Sequence, residues 1–465
     1  MRKYYWYLTA YARKHGKIIL ITLLGAILIF SLTLPLILSR IATKKTEYIA
    51  LVGAYTLETL PDEIIKNLSF GLTKMEPDGT VSPALSERWS IEEEGKIYRF
   101  IIKNGLLWQD GKKFVPEDVN YELEDTQIIA TKNDVVFKLP DKFVPFPTFV
   151  TKPLLRHETT PWLFILRRKK VIGLGRFQLT SYKEQGKRLK EATIESPSEK
   201  RIYRFYLTQA DAVTAFKKGE VDVLKNFDST YGLETWSNVI LNENSDKNKY
   251  LALFFDLENP LFPKNIRQSF SYALHKPTDK SRSLGPISPD SWVYLEANKT
   301  YDYDLERATE RALSEIPGVP LEFTLTTVPS FADTAEQIKQ ELESFGTQAA
   351  EACQKNAKDK TNCDNLKIKI SLQIQTFPDL NNFESLLISR DAPADPDQYS
   401  VWHSGQADNF MNYKNTRIDS LLEKGRQVAE KEERKSIYQE FQQFLLEDAP
   451  AVFIEHPTTY EIRRK

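Results

Sequence analysis

The stretch Ala210–Leu224, ADAVTAFKKGEVDVL, decides the fold class. Alanine, valine and phenylalanine recur at helical spacing as far as Gly219, whose missing Cβ lets the chain leave a helix through the left-handed region. The residues after it read as a strand. AEQIKQELESFG (Ala335–Gly346) repeats the motif, predicting a helix stopped at Gly346. Leu321–Val328 and Leu366–Gln375 alternate apolar and polar residues, as strands with one covered face do. Helices and strands interleave, which defines an α/β chain.

Outward from there, YRFIIK (Tyr98–Lys103) alternates as a strand, and Pro116 followed by Glu117–Glu124 predicts a helix start. Asp110-Gly111 in WQDG is ordinary turn chemistry between two strands rather than a catalytic carboxylate. A long amphipathic helix is expected over 415–447, broken near 425–430, and AVFIEH after Pro450 reads as a buried strand.

The chain has 465 residues, room for about two or three domains. Its 63 basic and 64 acidic residues leave no basic excess, so nucleic acid is not an expected partner. Ile18–Leu38 is 21 residues without a charge. A helix rising about 1.5 Å per residue would there cross a hydrocarbon core of about 30 Å. Arg2, Lys3, Arg13, Lys14 and Lys17 precede it, which predicts an amino terminus inside and the bulk of the chain extracytoplasmic. Tyr4, Tyr5, Trp6, Tyr7 and Tyr11 suit an interfacial belt. The alternative is a cleaved secretory signal, which has a shorter apolar region. In that compartment Cys353 and Cys363, the two cysteines, are expected to form a disulfide; only Asp359 and Asp364 lie nearby as further metal ligands.

Several segments together resemble a known family. LPDEIIKNLSFGLTKMEPDGTVSPALSERWS (Leu60–Ser90) and YRFIIKNGLLWQDGKKFVPEDV (Tyr98–Val119) are similar to the opening of the family 5 extracellular solute-binding proteins, the oligopeptide and dipeptide receptors of ABC importers. GLGRFQL (Gly173–Leu179), AFKKGEVDV (Ala215–Val223), NIRQSFSYALHK (Asn265–Lys276) and the closing Asn412–Ile454 follow in the family's order. The resemblance implies a two-lobed, type II periplasmic-binding-protein-like α/β fold with a hinge, here preceded by one transmembrane helix. The expected division is a cytoplasmic segment 1–17, a transmembrane helix 18–39, a linker 40–47, a first lobe 48–245 rejoined by 448–465, and a second lobe 246–447. The part of the first lobe between Asp118 and Gly173 is shorter than in the family.

DPDQYSVWHSGQ (Asp395–Gln406) falls where the family places second-lobe residues near the cleft. There an aspartate three residues before a D-P pair accepts the peptide's α-amino group; here that position is Ala392, leaving Asp391, if the loop carries an insertion, or Asp395. Tyr399 and Trp402 offer stacking area and His403 hydrogen bonds, the competing reading being that both large aromatics are core. In the first lobe, Tyr55 and Thr56 of GAYTLET correspond to the ligand-side loop. No G-x-S-x-G or H-E-x-x-H occurs, and His403 beside Ser404 lacks the geometry of a triad, so no catalytic residue, metal or cofactor is expected. The resemblance implies a monomeric, membrane-anchored receptor that passes peptides to an ABC transporter permease. A non-peptide solute, or a sensory or adaptor role without transport, stands as the alternative.

Overall fold

In strand Lys45–Val52, Ile49 and Leu51 enter one apolar core and Ala50 the core on the opposite face. A strand covered on both faces belongs inside a sheet. It lies between Glu199–Tyr206 and Val223–Phe227, parallel to both. The full sheet has seven strands, in the order Gln178–Gln185, Arg188–Glu195, Glu199–Tyr206, Lys45–Val52, Val223–Phe227, Thr458–Arg464, Val239–Ser245. Helix Gln209–Lys217 covers one face; Thr208 caps it by accepting from Asp211 N–H, and Gly219 ends it at φ +77°. The computed structural model describes residues 44–162, 166–296, 298–356, 360–393 and 395–465, with residues 6, 14–18, 20, 22–27, 29–31 and 33 of the amino-terminal segment.

The second lobe is built on five strands, in the order Ile368–Ile374, Leu321–Thr327, Ser385–Asp391, Lys249–Phe255, Ala451–Glu455. Leu251, Leu253 and Phe255 pack under helices Lys264–Ala273 and Ala332–Asn356, while Tyr250, Ala252 and Phe254 pack under Thr416–Gln427 and Lys431–Asp448. A further four-stranded sheet, Ser86–Glu92, Ile97–Ile102, Asp134–Lys138 and Gln127–Ala130, extends the first lobe around Phe100, Phe137 and Phe146.

Several expectations change. The helix expected to stop at Gly346 runs on to Asn356, because Gly346 is a close-approach residue: a Cβ there would lie 2.6 Å from Ile368 N. Residues 117–124 form only a 3₁₀ turn, Pro116–Asp118. Asp118 is held by Trp108 Nε1–H and Val115 N–H, both 2.9 Å, and the Tyr121 hydroxyl by Leu72 N–H and the Val150 carbonyl, which draws the chain inward. Of the expected linker, Lys45–Glu47 already pair with Glu199–Arg201. Of the segment 448–465 expected to return to the first lobe, Ala451–Glu455 instead pairs with Lys249–Phe255, its alternating side chains filling both second-lobe cores; only Thr458–Arg464 crosses back. The terminal helix is broken at residues 428–430, between Thr416–Gln427 and Lys431–Asp448. Cys353 and Cys363 are bonded and buried. Lys14–Ser31 is a helix long and apolar enough to cross a membrane, by length and composition; residues 34–39 of the expected span, and Tyr4, Tyr5, Tyr7 and Tyr11, lie outside the described residues.

The chain passes between lobes at 246–248 and 456–457. Asp246 N–H donates to the Pro457 carbonyl at 3.0 Å, and His456 Nδ1–H to the Lys249 carbonyl at 2.6 Å. His456 is buried, and burial pushes its pKa below the usual 6.5. Its imidazole therefore stays neutral in the fold while the unfolded chain takes up a proton, so stability is lost as pH falls through 6.5 toward the folded value. We expect the urea midpoint to decline as pH falls below 6.5, and His456→Gln to flatten that slope; equal slopes would contradict the assignment. Gly346→Ala should lower stability by about 1–3 kcal/mol in urea unfolding, although alanine is the better helix former; a raised midpoint would contradict the close approach.

Candidate functional site

First-lobe residues around 78–81 and 143–149 face second-lobe residue 292 and the segment 395–434. Two backbone hydrogen bonds cross between the lobes, from Val144 N–H to the Arg426 carbonyl at 2.8 Å and from Trp292 N–H to the Asp78 carbonyl at 3.0 Å. Arg426 lines a cavity of about 760 Å³ and Val144 a neighbouring one of about 300 Å³.

The larger cavity has an aromatic wall. Phe143, Phe146 and Phe149 come from the first lobe and Tyr399 from the second. Phe149 is half exposed, and Phe143 meets it edge-on with ring centroids 5.3 Å apart. The Arg426 guanidinium lies 3.8 Å from the Tyr399 ring centroid and 5.3 Å from that of Phe143, so one cation touches an aromatic of each lobe. Asp397 grips Arg426 Nε and Nη2 at 2.9–3.0 Å, fixing its plane.

The smaller cavity is walled by Trp89, Trp292, Pro145 and Pro147 above a buried ion pair. Asp395 accepts from Arg434 Nη1 at 3.1 Å and Nη2 at 2.7 Å, and both residues are under one-tenth exposed. Burial works against the Arg434 charge, and the adjacent Asp395 carboxylate more than offsets it, holding the guanidinium pKa above its ordinary value. A turn hydrogen-bonded through Thr80 lowers the Asp78 pKa, helped by the charge of Lys431 on the other side of the cleft.

The sequence candidates divide. Tyr399 reaches the larger cavity and Asp395 the smaller. His403 stands behind the wall: its ring centroid is 4.2 Å from that of Tyr399, Nδ1 accepts from Gly405 N–H, and Nε2 lies 3.3 Å from Glu423. Trp402 is fully buried beside Tyr413 and Phe453, so the core reading replaces the stacking one. Asp391 ends strand Ser385–Asp391, exposed, outside both cavities, while Ala392 is buried and bonded to the Asn248 carbonyl. Tyr55 folds back over Gly53, its hydroxyl 3.2 Å from the Val52 carbonyl, and Thr56 closes a turn onto Thr59; neither lines either cavity. Arg426, Arg434, Trp292 and the phenylalanines of 143–149 went unread. Their signal was weak: two arginines in an amphipathic helix pair, and a short Phe/Pro run.

Two α/β lobes joined by paired crossings, with cavities between them, make the fold that of the two-lobed solute-binding proteins. No family model matches the chain. It is 22% identical over 474 residues to the oligopeptide-binding protein AppA of Bacillus subtilis, covering 87% of this chain and 84% of that one. It is 24% identical over 460 residues to the dipeptide-binding protein of Escherichia coli, covering 83% and 82%. The solved structure of B. subtilis AppA with a nonapeptide matches with a TM-score of 0.63 at 19% identity, over 91% of this chain and 95% of that one. NikZ from Campylobacter jejuni with Ni(L-His) matches with a TM-score of 0.68 at 20% identity, over 91% and 94%. The sequence resemblance therefore extends over most of the chain, and these relatives are binding proteins rather than enzymes.

Breaking a buried ion pair leaves an uncompensated charge. Asp395→Ala should therefore cost about 3–5 kcal/mol in urea unfolding, against under about 0.5 kcal/mol for Asp391→Ala. Equal midpoints for the two variants would contradict a structural role for Asp395.

Proposed function

We propose that this chain is a membrane-anchored, extracytoplasmic solute-binding protein that captures peptides or a peptide-like solute between its lobes and delivers them to an ABC transporter permease. The observation that carries the reading is the pair of inter-lobe cavities, walled by residues of both lobes that meet across the cleft through Val144 and Arg426. Such walls come together only when the lobes close, so a solute binding between them favours the closed state by its contacts with both. The oligopeptide- and dipeptide-binding relatives support peptides as the solute.

In this reading the first lobe is 45–245 with 458–465 and the second is 246–455, the helix Lys14–Ser31 tethers a monomer to the membrane, and the permease reads the closed surface of both lobes. The match to NikZ with its nickel–histidine complex keeps a small non-peptide solute as the second reading.

A ligand that binds only the folded state raises the melting temperature by mass action. We expect the full chain, in detergent, to melt higher with members of a panel of di- to pentapeptides and not with sugars. A rise only with metal–amino-acid chelates would replace peptides by the second reading. No rise with any solute would overturn the binding function.

A further inference from the structure

Neither carboxylate expected to receive a ligand's ammonium group is available in the cavities, Asp391 lying outside both. Ala392 stands at the position of the amine-binding aspartate, Asp395 is taken by Arg434, and Asp397 by Arg426. The larger cavity offers another acceptor. Of its six charged lining residues, Lys96 lies 3.9 Å from Asp141, Lys142 pairs with Glu94, and Glu423 lies 3.3 Å from His403. Arg426 commits Nε and Nη2 to Asp397, and its Nη1 has no hydrogen-bond partner among the described residues. The Glu124 carboxylate has neither an ion pair nor a hydrogen bond among the described residues. One open cationic donor and one open anionic acceptor thus belong to residues that line a single aromatic-walled space.

Resting on the solute-binding reading, we infer that the cavity of about 760 Å³ takes a short peptide-like zwitterion with an apolar or aromatic side chain, its carboxylate on Arg426 and its ammonium on Glu124. Arg426 suits a carboxylate because Asp397 and Tyr399 already hold its plane, so little side-chain freedom is lost on binding. Phe143, Phe146, Phe149 and Tyr399 supply the surface against which an apolar side chain is buried. The volume lies in the range that encloses small ligands, about 300–1,000 Å³, which favours a ligand of few residues over a long peptide. Ligand length and both terminal charges are then read at one site, away from Asp391 and Asp395, the residues expected to read the amine.

Isothermal titration of the full chain in detergent with Ala-Phe, N-acetyl-Ala-Phe and Ala-Phe-amide tests this. Each blocked terminus removes one charge-assisted contact and should weaken binding about tenfold or more. Glu124→Gln, at an exposed position, should erase the discrimination against the acetylated peptide only, and Arg426→Gln the discrimination against the amide only. Phe149→Ala should weaken Ala-Phe more than Ala-Ala. Equal affinity for all three ligands, discrimination that survives Glu124→Gln, or binding of long peptides but not Ala-Phe would overturn the inference and leave the proposed function standing. Binding of no solute at all would overturn the function itself.

Discussion

Every feature of the cleft depends on how the chain crosses between the two sheets. It does so over residues 246–248 and again over 456–457, and paired strands flank both crossings. Backbone rotation is confined where the ladder bonds are satisfied, so any change in the angle between lobes would fall on these few residues. The bonds from Asp246 to the Pro457 carbonyl and from His456 to the Lys249 carbonyl tie the two crossings into one unit. The same crossings set a folding constraint. Ala451–Glu455 completes the second sheet and Thr458–Arg464 fills the first, so both lobes wait for the last residues of the chain. Contacts such as Val223 with Arg463 carry a large loop-closure cost.

Within the cleft, two aspartate–arginine pairs do different work. Asp395–Arg434 is buried under the smaller cavity and fixes the segment 395–402 to the terminal helix. Asp397–Arg426 is partly open and leaves the guanidinium against Tyr399 in the lining of the larger cavity. A buried pair adds little net stability over an apolar replacement, but removing one partner is costly. That asymmetry lets a loop of mixed charge hold one conformation at a lobe interface.

Most of the fold was legible in the sequence because periodicity reports burial directly. Helix 209–217 with Gly219, the strands at 321–327 and 368–374, and the break after Gln427 all follow from local pattern. Gly346 shows the limit. In sequence it resembles Gly219, yet one glycine leaves a helix at positive φ and the other lets a helix touch a strand, a difference set by Ile368 from elsewhere in the chain. Residues 117–124 fail for a similar reason: Asp118 and Tyr121 find tertiary partners that outweigh helix formation. The site was harder still. DPDQYSVWHSGQ contributes Asp395 and Tyr399 to the cavity walls, but which of its residues line a cavity depends on Arg426 and Arg434, whose pairing across about thirty to forty positions leaves no local trace. Trp402 looked as suitable as Tyr399 and is core.

The account rests on a solute drawing the two lobes together. Pulsed electron–electron resonance on the full chain, with spin labels on cysteines placed at the exposed positions Lys187 in the first lobe and Lys369 in the second, measures that motion directly. Saturating peptide should shift the distance distribution and narrow it to a single closed population. A distribution that is identical with and without bound peptide would contradict closure over a ligand as the way this protein works.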